Sequence, residues 1–108
     1  MQNIELNIDD MKQLELSAHK VSAILKAIGN DKRLLLLCKI VEHGEVPAGS
    51  LIGIAGLSQS AMSQHLAKMR DEGIIAFRRE GQMLYYRLAD ERIKELIITL
   101  HHLYCTPE

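Results

Sequence analysis

The segment from Leu57 to Ile75 constrains this chain more than any other part of it. Ser58 is a ready N-cap and Gly73 a ready stop, so the stretch between them reads as one helix. Ala61 or Met62, Leu66 and Met69 recur at helical spacing and form an apolar stripe to be buried. Gln59, Ser60, Ser63 and Gln64 fall on a different face. These side chains are short, uncharged and able both to donate and to accept hydrogen bonds. Such a face suits the major groove of DNA, where base edges present mixed donors and acceptors. Ser and Gln also decorate ordinary solvated helices, and the flanks separate the two cases.

Upstream, Ser50 to Ala55 reads as a short apolar helix, and Gly56 permits a tight turn. Short helix, Gly turn, capped longer helix is the grammar of a helix-turn-helix, here over residues 48–73. Downstream, Ile74 to Arg79 and Met83 to Leu88 are rich in strand formers and are joined by Glu80, Gly81 and Gln82. That is a hairpin with Gly in its turn. Leu84, Tyr86 and Leu88 alternate onto one face, and Met83, Tyr85 and Arg87 onto the other. A hairpin over 74–88, directly after a recognition helix, is a wing. Arg78 and Arg79 are expected to meet phosphates or enter a minor groove, with Gln82 at the tip and Lys68 on the helix adding contacts. Paired arginines on a hairpin also serve simply to discourage edge-to-edge aggregation.

The remainder is helical. Residues 9–28 carry Leu14, Ala18, Val21, Leu25 and Ile28 at three- and four-residue spacing, after a first eight residues expected to fray. Gly29 breaks that helix, Asn30 caps the next, and Asp31 suits its positive N-terminal end. Leu34 to Leu37, Cys38, Ile40 and Val41 make this second helix apolar almost all round, so it is expected at the centre of the core. His43 to Pro47 reads as a loop. Asp90 caps a last helix over 90–105, with Ile93, Leu96, Ile97, Leu100, Leu103 and Tyr104 apolar. The expected fold is mainly α with a β-hairpin wing: four helices, two strands and a fifth helix in one domain, residues 1–108. So short a chain has little else to cover the faces of its first and last helices, which makes them a natural dimer surface.

Net charge is −1, which does not by itself mark a DNA binder, but its distribution is uneven. Residues 58–87 carry +2, whereas 1–20 and 88–108 carry −2 each. The basic part coincides with the expected reading surface, and a dimer doubles it. With this modest excess, binding is expected to be strongly salt-sensitive. No run of residues approaches a membrane span, and the N-terminus lacks the pattern of a secretory signal, so a cytoplasmic protein with reduced thiols is expected. Enzyme chemistry finds no support. There is no glycine-rich phosphate loop, no pair of carboxylates set against a pocket, and no nucleophile with base and orienter.

From about Leu25 to Leu88 the chain resembles the ArsR/SmtB family of winged-helix bacterial transcription regulators. The resemblance rests on Leu57-Ser58-Gln59-Ser60, then Ser63-Gln64-His65-Leu66, then Met69-Arg70-Asp71 and Gly73-Ile74, then the hairpin with Tyr86 and Leu88. It implies a small homodimer that binds double-stranded operator DNA and releases it when an inducer is sensed. Two-fold symmetry sets two recognition helices about 34 Å apart, on successive major grooves. His65 stands where the family commonly has His, which implies a structural or backbone-contact role at the DNA surface. Pro47 departs from the Ser that relatives often place there, so the next helix is expected to start differently.

Metal sensors of the family follow patterns that this chain lacks. Cys38 lies between Leu37 and Lys39, with no Cys-x-Cys. Asp90 is followed by Glu91 and Arg92, and His101 and His102 are adjacent, about 100° apart on a helix. No metal site or cofactor is therefore expected, although an unfamiliar set of Cys38, Cys105 and His101 or His102 remains the alternative. The two cysteines, 67 positions apart, instead resemble those of the BigR/HlyU/SqrR-like persulfide-sensing subgroup. That resemblance implies reactive sulfur as the inducer and a disulfide or polysulfide link between Cys38 and Cys105. A plain disulfide needs Cα atoms within about 7 Å, whereas a polysulfide spans more. Without the resemblance, Cys38 is a small core hydrophobe and Cys105 a surface thiol. A low thiol pKa favours attack, and Lys39, His101 and His102 are candidate neighbours that could supply it.

Overall fold

The computed structural model describes residues 7–105. Helix α1 (Ile8–Ile28) begins earlier than expected. The Asn7 side chain accepts from the Asp10 N–H at 2.8 Å, and the Asp10 carboxylate accepts in return from the Asn7 N–H, closing a capping box. The fraying expected of residues 1–8 is thus corrected at Asn7 and Ile8, and for 1–6 it lies outside the described residues. Only the C-terminal end of α1 reaches the core, through Ala27 and Ile28. Helix α2 (Asp31–His43) starts at Asn30, whose side chain accepts from the Arg33 N–H at 3.1 Å. Leu36, Leu37 and Ile40 are 0 % exposed, so α2 is the central strut.

Residues 45–47 correct the expected loop. They form a short strand, β1 (Glu45–Pro47), antiparallel to β3 (Met83–Leu88), which also pairs with β2 (Ile75–Glu80), giving the sheet order β1-β3-β2. Val46 lies opposite Tyr86, and both are buried. Pro47 is tolerated because β1 is an edge strand. Gly81, at φ +63, lets β2 and β3 join through only two residues.

The segment expected as a short helix over Ser50 to Ala55 is instead two 3-10 turns, Ala48–Leu51 and Ile54–Gly56. Pro47 precedes the first and offers no side-chain cap. Ile52 is extended and Gly53 left-handed at φ +86, which stops helical hydrogen bonding between them. Leu51 is nevertheless fully buried, so the segment keeps its core anchor. Ala55 also adopts a left-handed backbone (φ 58), rare for a residue with a Cβ, and its carbonyl accepts a 3.2 Å hydrogen bond from Lys32 Nζ. Among the described residues the α-helix count is therefore four, not the expected five, with α3 (Gln59–Asp71) in the place of the recognition helix and α4 (Glu91–Tyr104) last.

Helix α3 ends as the sequence predicts. Gly73 is left-handed, its N–H donates to the Arg70 carbonyl, and the Ile74 N–H donates to the Met69 carbonyl. This is a Schellman closure, and Met69 and Ile74 are both buried beside it. Leu36 sits in the middle of the one core that all these elements share. Leu36→Ala is expected to lower unfolding free energy by about 2–5 kcal/mol, measured by urea denaturation. A loss under about 1 kcal/mol would mean that α2 is not the central strut.

Candidate functional site

The reading face is built on α3. Ser58 Oγ accepts from the Ala61 N–H at 3.1 Å, fixing the start of the helix. Met62, Leu66 and Met69 are 4 %, 2 % and 0 % exposed, so the inner face is consumed by the core. The opposite face presents Gln59, Ser60, Ser63 and Gln64, all exposed, with Lys68 exposed one turn further on. This division between buried stripe and polar face is the one the spacing predicts.

His65 sits between the two faces, half-buried. Its Nδ1 accepts a 3.2 Å hydrogen bond from Arg33 Nε on α2. In the neutral ring this acceptor role leaves the proton on Nε2, where it is available to a phosphate. The Arg33–His65 pair joins two helices across 32 residues of sequence, and no local pattern announces it.

In the wing, Arg79 and Gln82 are exposed, and among the described residues Arg79 makes no ion pair. Arg78 is engaged within the protein. It pairs with Glu45 at 2.8 Å and Glu80 at 2.7 Å, and its guanidinium stacks 4.4 Å from the Tyr85 ring. The bond from Arg78 holds the Glu45 carboxyl below its ordinary pKa. This network fastens β2 to Glu45 on β1 across the intervening β3. Arg70 lies 5.2 Å over the Phe77 ring, joining the end of α3 to the base of the wing.

The second cluster lies between α2 and α4. Cys38 is half-buried on α2, and Cys105 is exposed at the C-cap of α4, where its N–H donates to the His101 carbonyl at 2.8 Å. Burial pushes the Cys38 thiol above its ordinary pKa, and the nearby charge of Cys105 pushes it further in the same direction. The two thiols are thus within electrostatic reach of each other. The low thiol pKa that would favour attack is not found at Cys38, because burial and the charge of Cys105 both raise it. Cys38 opens onto a cleft of about 580 Å³, with Leu35, Val41, Ile54, Ala55, Ile97 and Ile98 among its walls. Lys39, Glu42 and His101 also line it. His101 and His102 meet edge to face with ring centres 6.5 Å apart. Among the described residues, no three His, Cys, Asp or Glu side chains gather as a metal site. No helix among them is long and apolar enough to cross a membrane.

A polar-faced helix after a left-handed turn, followed by a braced β-hairpin, defines a winged-helix nucleic-acid reader. Residues 30–76 match the family described as bacterial regulatory protein, arsR family. The chain is 45 % identical over 96 residues to the HTH-type transcriptional regulator YgaV of Escherichia coli K12, covering 89 % of this chain and 97 % of that one. The solved structure of reduced HlyU from Vibrio cholerae superposes with a TM-score of 0.79 at 39 % identity, covering 88 % of this chain and 99 % of that one. The transcriptional repressor BigR from Xylella fastidiosa superposes with a TM-score of 0.79 at 32 % identity, over 90 % and 98 % of the two chains. The chain belongs to the ArsR family of winged-helix transcriptional regulators and is a DNA-binding protein, not an enzyme.

The raised Cys38 pKa has a direct consequence. The folded protein favours the neutral thiol, so alkylation of Cys38 by iodoacetamide is expected to rise with pH through a midpoint above the free-thiol value of about 8.5. Cys105→Ser removes the second cause and is expected to lower the midpoint while leaving it above that value. A midpoint at or below the free-thiol value would contradict this environment.

Proposed function

We propose that this chain is an operator-binding homodimer, a repressor working in the cytoplasm, which leaves DNA when reactive sulfur joins Cys38 to Cys105. The observation that carries this reading is that two thiols 67 positions apart, one on the central strut and one at the end of the last helix, lie within electrostatic reach of each other. The relatives support it by name: one is called a transcriptional repressor, and another was solved in a form called reduced.

Exposed apolar side chains support the dimer. Met11, Leu14, Val21 and Leu25 on α1 are all more than one-third exposed, as are Ile98 and Leu103 on α4. Covering these faces with a second copy removes them from water, which is the main driving force for such association. Residues 9–28 and 90–105 are then the dimerisation helices of a single domain. Gln59, Ser60, Ser63 and Gln64 read base edges, while Ser58, His65, Lys68, Arg79 and Gln82 meet the backbone. Arg78 contributes mainly by holding the wing in place, since two carboxylates already engage it.

The chemistry balances. A thiolate attacks the terminal sulfur of a persulfide donor, the donor S–S bond breaks, and the donor leaves as a thiol. With both cysteines persulfidated, the Cys38 persulfide anion attacks the sulfur bonded to Cys105, and hydrosulfide leaves. The product is a three-sulfur bridge. The two cysteines lose two electrons, one sulfane sulfur is reduced to sulfide, and the other stays in the bridge. Such a bridge ties α2 to α4 and changes the separation of the two recognition helices.

An operator selected from a random duplex library with reduced protein tests this by fluorescence anisotropy. Persulfide treatment is expected to weaken binding by tenfold or more, and mass spectrometry should find Cys38 joined to Cys105 with at least one extra sulfur. Cys38→Ser and Cys105→Ser should each abolish the response. Separate modification of the two thiols, or release by zinc alone, would sink the proposal. Replacing Gln59, Ser60, Ser63 and Gln64 together by Ala is expected to erase discrimination between the selected and a scrambled duplex, each lost base contact contributing about 1–3 kcal/mol. Unchanged discrimination would place base reading elsewhere.

A further inference from the structure

We infer that the cleft beside Cys38 selects its sulfur donor by an apolar body, taking uncharged alkyl or aryl hydropersulfides in preference to charged, peptide-like ones. This rests on the sulfur-sensing reading above and names the donor class for the inner thiol. Cys38 is set in the wall of a cleft of about 580 Å³, a volume suited to a small organic molecule. Leu35, Val41, Ile54, Ile97 and Ile98 give that cleft aliphatic walls.

The charged residues at its border do not reverse this preference. Lys39 Nζ lies 3.9 Å from the Glu42 carboxylate, so its charge is already partly balanced. A donor carrying carboxylates and an ammonium must shed water to reach Cys38, and the charged Lys39 and Glu42 side chains that line the cleft already face each other. A benzyl-sized body gains by leaving water for the aliphatic walls. The raised pKa of Cys38 reports the same dry surroundings from the side of the thiol.

The transfer is simple in its balance. The Cys38 thiolate attacks the terminal sulfur of R–S–SH, the donor S–S bond breaks, and RS⁻ leaves to be protonated by solvent, giving Cys38–S–SH. The leaving thiol carries the apolar body out of the cleft. Ile54 and Ala55, which also line the cleft, stand only a few residues before Ser58 at the start of α3. An occupant therefore touches the turn that launches the recognition helix.

The test uses the Cys105→Ser chain, so that only Cys38 reacts, and follows persulfidation by quenched-flow mass spectrometry. Benzyl hydropersulfide is compared with glutathione persulfide, each rate divided by that donor's rate with N-acetylcysteine. A normalised preference of about tenfold or more for the benzyl donor is expected, as burial of one aromatic body would give. Leu35→Gln, at an exposed position outside the proposed dimer helices and so compatible with folding, should reduce it towards one. The unreactive isostere benzyl methyl sulfide should slow alkylation of Cys38 by iodoacetamide severalfold.

A ratio near one, absence of reaction at Cys38 with either donor, or no protection by the isostere would each overturn the inference. A second copy of the chain, or its own N-terminal residues, filling the cleft would give that last result. The sulfur bridge itself is judged separately. If inorganic polysulfide still joins Cys38 to Cys105 in the unmodified chain, donor selection fails alone. If no donor joins them, the function proposed above fails as well.

Discussion

The burial of the Leu36, Leu37 and Ile40 stripe of α2 is the constraint on which the rest of the structure depends. Helix α1, the sheet, the second 3-10 turn and α4 all lean on this one helix. Its N-terminal end also holds the reading apparatus, through Arg33 to His65 and Lys32 to the Ala55 carbonyl. Cys38 lies five residues beyond Arg33, about 7.5 Å along the axis. Cys38 and the reading helix therefore share a single support. A change in how α2 packs against α4 has a short physical route to α3, with no long chain of intermediates.

The two cysteines stand in different media. Cys105 meets bulk water at a helix end, whereas Cys38 looks into an aliphatic cleft that favours its neutral form. The pair differs from a surface dithiol, in which both sulfurs see the same reagent at the same rate. Partial burial also keeps Cys38 from reacting indiscriminately, because the attacking species is the thiolate.

What could be read from the sequence follows from local rules. Ser58, Asn30 and Asp90 cap the helices they were expected to cap, and Gly73 ends α3, because a cap depends on residues within one turn of it. The hairpin was legible from its alternation and from Gly81. The strand Glu45–Pro47 was not, since three residues carry no periodicity and take their strand form from pairing with the distant β3. The 3-10 turns replace an expected helix because Gly53 takes a left-handed conformation that composition alone does not fix. Of the site, the polar face of α3 was visible in its spacing. The Arg33–His65 and Arg78–Glu45 pairs, separated by 32 and 33 residues, exist only once tertiary packing has brought them together. The cleft was invisible for the same reason: its walls come from α2, the turn and α4.

Two of the three residues that seat α3 in the core are methionines, Met62 and Met69. An unbranched thioether has three rotatable bonds and refits its surroundings at little cost, unlike leucine or isoleucine. The reading helix thus rests on a compliant cushion. A small tilt of the helix would therefore cost less packing than it would over a branched aliphatic seat. That freedom lets one protein follow grooves whose width varies with base composition, and it lets a small strain imposed elsewhere be taken up as rotation of the helix and not as loss of packing.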